Sequence, residues 1–216
     1  MPANLENSAV ATGLEKVSFH SNMICGGFSA GDEPDGSGKF IANVLNNQVI
    51  ADAIHALLDR GGLILGICNG FQALVKSGLL PYGRLGQVTK ESPTLFRNDI
   101  NRHISQIVTT RVGTTNSPWL SGFAVGDLHT IAVSHGEGKF VVNEEFAKEL
   151  FANGQVAFQY VDPLEEEPTM ESPYNPNGKW AFNSANNIIK IFIFLKGKQT
   201  KARLLPPHSF GKHTHS

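Results

Sequence analysis

The sequence predicts an α/β fold built on parallel strands, and three features of its first half carry that prediction. A short strand signal ends at Met23-Ile24-Cys25 and runs into Gly26-Gly27. Over residues 39–60 the apolar positions Ile41, Val44, Leu45, Val49, Ile50, Ile54, Leu57 and Leu58 share one helical stripe. Gly61-Gly62 stops that helix, and the apolar run Leu63-Ile64-Leu65 follows as a second strand. Strand, helix and strand in this order form a crossover unit, the connection that joins parallel neighbours in one sheet.

The remaining elements follow in chain order. Residues 1–22 are weakly patterned, with a helix signal near 6–16, and the glycine- and acid-rich stretch 28–38 reads as a loop. After the second strand, the apolar spacing of Phe71, Ala73, Leu74 and Val75 predicts another helix. Residues 78–83 read as a turn and 84–99 as loop, whereas 104–112 and 129–133 carry strand alternation. Residues 134–140 read as a polar, glycine-punctuated turn. A short helix over 144–153 closes at Gly154, a strand covers 156–160, and an acidic, proline-bearing loop spans 162–178. The apolar stretch 188–195 is interrupted by Lys190 and is too short to span a bilayer.

The junction Gly66-Ile67-Cys68-Asn69-Gly70 carries the chemistry. It places a cysteine on a tight strand-to-helix turn, the geometry that lifts a nucleophile above a sheet. The flanking glycines fit because the helix must begin almost against the strand, where a Cβ would obstruct the approach. The positive end of the helix dipole favours a thiolate at that place. The competing reading is a buried structural cysteine, since free cysteines are often buried. Cys25, the other cysteine, reads as a small buried residue at a strand end.

Composition narrows the remaining classes. The 216 residues suffice for one α/β domain, and 41% hydrophobic with 17% charged residues fits a globular protein. A net charge of −1 argues against a nucleic-acid binder. Two cysteines give no disulfide framework, and a reactive thiol suits a reducing cytoplasm. The first 16 residues lack the pattern of a signal peptide. Nothing resembles a P-loop, so no nucleotide cofactor is expected in this chain. The charge is nevertheless unevenly placed: all 19 acidic residues lie in 1–178, while 179–216 holds seven lysines and arginines and no acid.

Three segments together point to one family. They are Gly26-Gly27-Phe28-Ser29-Ala30-Gly31-Asp32, Gly66-Ile67-Cys68-Asn69-Gly70-Phe71-Gln72 and Ser134-His135-Gly136-Glu137-Gly138. They resemble the triad-type glutaminase domain of phosphoribosylformylglycinamidine synthase, as do residues 32–40, Asn101-Arg102-His103 and Asn175-Pro176-Asn177-Gly178. The resemblance implies a class I glutamine amidotransferase: a flavodoxin-like three-layer α/β/α sandwich with a mainly parallel sheet. It implies hydrolysis of glutamine by a Cys68 thiolate through a γ-glutamyl thioester, with ammonia passed to a synthetase portion in cis or on a partner chain. ATP and magnesium would belong to that portion, and no metal is expected here.

By the same resemblance, Gly27 and Asn69 supply oxyanion N–H groups, and Gly26, Gln72, Ser134, His135, Gly136 and Glu137 hold the substrate. Arg102 and His103 read as a solvated basic loop. The family takes its base and orienting acid from a C-terminal Gly-His-x-Glu-Arg motif. Here the nearest candidate is His208, in Pro207-His208-Ser209-Phe210, with no acid after Gly178. His213 and His215 fall in a tail that reads as disordered. The loss of motif coincides with the charge break. The expected organisation is therefore a partial amidotransferase domain over 1–178, lacking its first strand-helix unit, and a replaced basic segment over 179–216. The alternative function is a catalytically impaired remnant that keeps the fold and a docking role. An unrelated cysteine hydrolase would leave the 32–40 and 134–138 segments unexplained.

Overall fold

The computed structural model describes residues 21–27, 36–177 and the backbone of 195–196. The expectations for residues 1–20, 28–35 and 178, and for His208, His213 and His215, lie outside the described residues.

The crossover unit is present. Strand β1 (Ser21–Ile24) pairs in parallel with β2 (Leu63–Gly66), with Ser21 opposite Leu63 and Ile24 opposite Gly66. A two-residue strand, β8 (Leu195–Lys196), pairs antiparallel on the other side of β2. The expected single helix between β1 and β2 is instead two, α1 (Lys39–Leu45) and α2 (Gln48–Asp59). Asparagine chemistry breaks it. Asn46 Nδ2 donates back to the Ala42 carbonyl at 2.9 Å, while extended Asn47 accepts from the Val49 N–H at 3.1 Å and caps α2. The stripe is buried at Ile50, Ile54, Leu57 and Leu58, but Val49, in the first turn of α2, is exposed.

Helix α3 (Asn69–Lys76) follows β2 and is buried from Asn69 through Val75. The expected turn at 78–83 contains a short helix, α4 (Leu79–Tyr82), between Gly78 and Gly83, both left-handed. The expected loop at 84–99 includes a three-residue strand, β3 (Thr94–Phe96). It pairs antiparallel with β6 (Lys139–Val141), Phe96 facing Lys139. Strand β4 (Ile104–Val112) has the expected bounds, and β5 (Leu128–His135) runs two residues further than the alternation suggested. These two pair antiparallel, Ser105 opposite Ser134, and β7 (Phe158–Tyr160) flanks β4. Helix α5 (Glu144–Ala152) lies between β6 and β7, capped by the Asn143 side chain on the Phe146 N–H at 2.8 Å.

The class is α/β, but among the described residues β1 and β2 are the parallel pair and the other pairings are antiparallel. Two apolar cores hold the elements. The larger joins α1, α2, α3, α4 and α5 to β2, β3 and β6 through Leu45, Ile54, Ile64, Phe71, Leu74, Leu79, Leu95, Phe140 and Leu150. The smaller joins β4, β5 and β7 through Val108, Val112, Val133, Phe158 and Tyr160.

Burial pushes the Tyr160 phenol above the ordinary tyrosine range, against a smaller opposing pull from the Asn177 side chain. Its proton is held more tightly in the folded chain than in the unfolded one. The contribution to stability is therefore complete below about pH 10 and lost as pH rises past it. The urea midpoint is expected to fall less between pH 9 and pH 11 in Tyr160→Phe than in the parent. Equal falls would contradict this.

Candidate active site

Cys68 occupies the sharp turn that its glycine neighbours suggest. Its backbone lies at φ 53° and ψ −113°, between the end of β2 and the first residue of α3, and its thiol is exposed. A non-glycine residue in such a conformation stores about 1–3 kcal/mol of strain, which the surrounding structure must hold. The holding contacts are steric. A Cβ on Gly66 would lie 2.6 Å from Leu74 Cδ1 and 2.8 Å from the Phe71 nitrogen. One on Gly70 would lie 2.0 Å from the Ile24 carbonyl oxygen. The Ile67 N–H donates to that same Ile24 oxygen at 2.9 Å, tying the turn to the end of β1.

The loop after β1 comes against the nucleophile. A Cβ on Gly26 would sit 2.7 Å from Cys68 Cβ, so only glycine lets this loop pass so close. Gly27 follows at φ 137° with its backbone exposed. Asn69 is buried as the first residue of α3. Cys25 is exposed, not buried, because strand β1 ends at Ile24 and turns outward before the double glycine.

Gln72, one turn beyond Cys68, is buried, and its Nε2 donates to the Glu137 carbonyl at 3.0 Å. This bond joins the elbow helix to residues 134–138. Glu137 also reaches the first loop, accepting the Ser37 N–H on Oε2 at 2.9 Å. The expected polar turn is shorter than its sequence suggested: Ser134 and His135 end β5, and Lys139 already belongs to β6. The His135 ring points inward, 6% exposed, with Nδ1 3.0 Å from Asn98 Oδ1. What His135 can offer a ligand is therefore its backbone. Ser134 is exposed and its hydroxyl lies 2.8 Å from His103 Nε2; Arg102 and His103 are exposed, as a solvated basic loop would be.

Sequence reasoning missed the loop that underlies this segment. Residues 97–103 connect β3 to β4 and lie along 134–139, the end of β5, its connection 136–138 and the start of β6. Asn98, His103 and an ion pair between Asp99 and Lys139 join the two. A cavity of about 700 Å³ opens against them, lined by Lys76, Asn98, Asp99, Asn101, Glu137 and Lys139. The signal for Asn98 was only an asparagine in a polar stretch, which reads as a turn residue.

The four described histidines have contacts of their own. His55 Nε2 accepts from the Leu85 N–H at 3.1 Å, His129 meets the Phe123 ring edge-on, and His103 and His135 bond as above. Among the described residues no group of three or more His, Cys, Asp and Glu side chains is placed to hold a metal. No helix among them is long and apolar enough to cross a membrane.

Comparison with known proteins agrees with this geometry. Residues 5–186 match the family of CobB/CobQ-like glutamine amidotransferase domains. The chain is 38% identical to phosphoribosylformylglycinamidine synthase subunit PurQ of Acaryochloris marina over 156 residues, which is 72% of this chain and 58% of that subunit. To the PurQ subunit of Methanococcus maripaludis strain C5 it is 32% identical over 176 residues, 81% of this chain and 62% of the subunit. The chain thus spans less than two thirds of the length of these relatives. The fold is similar to that in the structure of PurLQS from Thermotoga maritima, with a TM-score of 0.56 and 23% identity, covering 89% of this chain and 79% of that one. With a strained cysteine elbow, a double-glycine loop against it and a family match across most of its length, the chain belongs to the CobB/CobQ-like glutamine amidotransferases.

Proposed function

We propose that this chain is the glutaminase component of a phosphoribosylformylglycinamidine synthase, supplying ammonia for the amination of formylglycinamide ribonucleotide. The observation that carries the reading is Cys68. Its thiol is exposed on a strained strand-to-helix turn, between the double-glycine loop and the helix that Gln72 ties to residues 134–138.

The Cys68 thiolate attacks the side-chain amide carbon of glutamine, forming a C–S bond as the carbonyl electrons move onto oxygen. The N–H groups of Gly27 and Asn69 meet that oxyanion. Protonation of the amide nitrogen then breaks the C–N bond, ammonia leaves, and water hydrolyses the thioester to glutamate and free thiol. Gly26, Gln72 and the 134–138 segment shape the pocket, with Ser134 and Glu137 offering side chains and His135 and Gly136 offering backbone. His208 is the candidate base by resemblance. A synthetase portion, in cis or as a partner chain, takes the ammonia and holds the ATP and magnesium. The reduced thiol fits a cytoplasmic setting. On this reading residues 1–178 carry the amidotransferase motifs, and the basic segment 179–216 adds Leu195–Lys196 as a strand beside β2.

Glutamate release from glutamine tests the proposal, measured on the chain alone and with phosphoribosylformylglycinamidine synthetase subunits added. Cys68→Ala is expected to lower turnover by about 10³-fold or more, with an unchanged urea midpoint, since alanine keeps the Cβ and the thiol it removes is exposed. Undiminished turnover in that variant, or none in the parent under either condition, would sink the reading.

A further inference from the structure

We infer that Asn98 is a positioning residue of the glutamine site, the template on which residues 134–138 take their shape. The inference rests on the glutaminase reading above and extends it to a residue that touches no reacting atom.

Asn98 is 2% exposed, yet it lies outside both apolar cores. Its side chain instead fills its whole hydrogen-bonding capacity. Nδ2 donates to the His135 carbonyl at 2.9 Å and to the Arg102 carbonyl at 3.3 Å. Oδ1 accepts the Gly138 N–H at 3.2 Å and lies 3.0 Å from His135 Nδ1. Two amide hydrogens and two lone pairs are thereby used, all that an asparagine possesses. The backbone adds a fifth bond, the Asn98 N–H to the Gly136 carbonyl at 2.9 Å.

Four of these five bonds converge on one short stretch. They fix the carbonyls of His135 and Gly136 and the N–H of Gly138, the residues on either side of Glu137. Glu137 is where Gln72 of the elbow helix is received, through its carbonyl, and where the Ser37 N–H is received, through its carboxylate. Asn98 therefore holds a segment whose other face meets the helix that presents Cys68. The same bonds turn the His135 ring inward, where it fills the space a Cβ on Gly138 would need: that atom would lie 2.2 Å from His135 Cε1. A loosened segment would misplace the substrate relative to the thiol without altering the thiol itself. Misplacement of about 1 Å costs roughly 100-fold in rate.

Two reagents separate these effects. A diazoketone analogue of glutamine must occupy the pocket before alkylating Cys68, whereas iodoacetamide, followed at Cys68 itself because exposed Cys25 also reacts, reports only the thiol. In Asn98→Ala, labelling by the analogue is expected to slow by about 10- to 100-fold, with the iodoacetamide rate within about twofold of the parent and a native circular dichroism spectrum. Asn98→Asp is the second variant. It keeps the shape and the acceptor but turns an oxygen towards two carbonyls, and it is expected to slow the analogue as well. Parent-like analogue labelling in either folded variant overturns the inference. So does an equal slowing of both reagents, or failure of both variants to fold, which would make Asn98 a residue of the fold. A parent chain that the analogue does not label refutes the glutaminase reading itself, and this role with it.

Discussion

Replacing Gly70 with alanine is expected to destabilise the chain by about 3 kcal/mol or more, and to remove Cys68 reactivity towards substrate at the same time. The new Cβ would lie 2.0 Å from the Ile24 carbonyl oxygen, 2.7 Å from its carbon and 2.9 Å from the Cys25 oxygen. All three are backbone atoms, so no rotamer change relieves the clash. Either α3 moves off the sheet or the end of β1 moves away from β2. The first opens the contact of Phe71 and Leu74 with the main core, and the second breaks the Ile67–Ile24 hydrogen bond beside the nucleophile. Gly122→Ala is the control. A Cβ there meets nothing within 4 Å, and a change within about 0.5 kcal/mol is expected. Urea unfolding of the two variants decides the matter, and a Gly70→Ala midpoint equal to that of Gly122→Ala would show that the elbow does not depend on this contact.

The elbow was readable in the sequence because its constraint is local. Gly66 and Gly70 stand four residues apart at a strand-to-helix junction, and what excludes a side chain at Gly66 is the helix that follows it, although the atoms that exclude one at Gly70 belong to Ile24 and Cys25, far earlier in the chain. The crossover was readable for a similar reason, since the alternation of apolar run, helical stripe and apolar run lies within one continuous stretch. The break at Asn46 and Asn47 was not. The apolar stripe continues across it, and the capping bonds that end one helix and start the next use side chains that periodicity treats only as polar. Strand β3 escaped because three residues are too few for alternation, and its state is set by pairing with β6 more than 40 residues later. The same distance hid the support beneath the site. Asn98 and Gly138 are 40 positions apart, and nothing near either one signals the other.

The ion pair between Asp99 and Lys139 is the second place where a single substitution should have a large effect. In the sequence Asp99 lies in a predicted loop and Lys139 in a predicted polar turn. In the fold the Lys139 side chain is only 6% exposed, and that of Asp99 22%. Lys139 cannot withdraw, because its backbone is paired with Phe96 in the β3–β6 ladder. Removing one partner of a buried pair strands the other charge, and the cost depends on which charge is stranded. Asp99→Ala leaves a deeply buried ammonium and is expected to cost about 3 kcal/mol. Lys139→Met leaves a carboxylate with a path to water and places an apolar chain where the lysine stem ran. It should therefore cost less than half as much. The double variant Asp99→Ala/Lys139→Met is expected to recover most of the loss, since neither charge is then buried. Urea unfolding of all four proteins closes the cycle. Equal and small single-variant costs, below about 1 kcal/mol, are the behaviour of a surface pair and would mean that this bond does not hold the 97–103 loop. The asymmetry, by contrast, would show that the loop beneath the substrate segment is fastened at two adjacent points. One is the neutral asparagine that shapes the segment, and the other is the charged pair that keeps the asparagine in place.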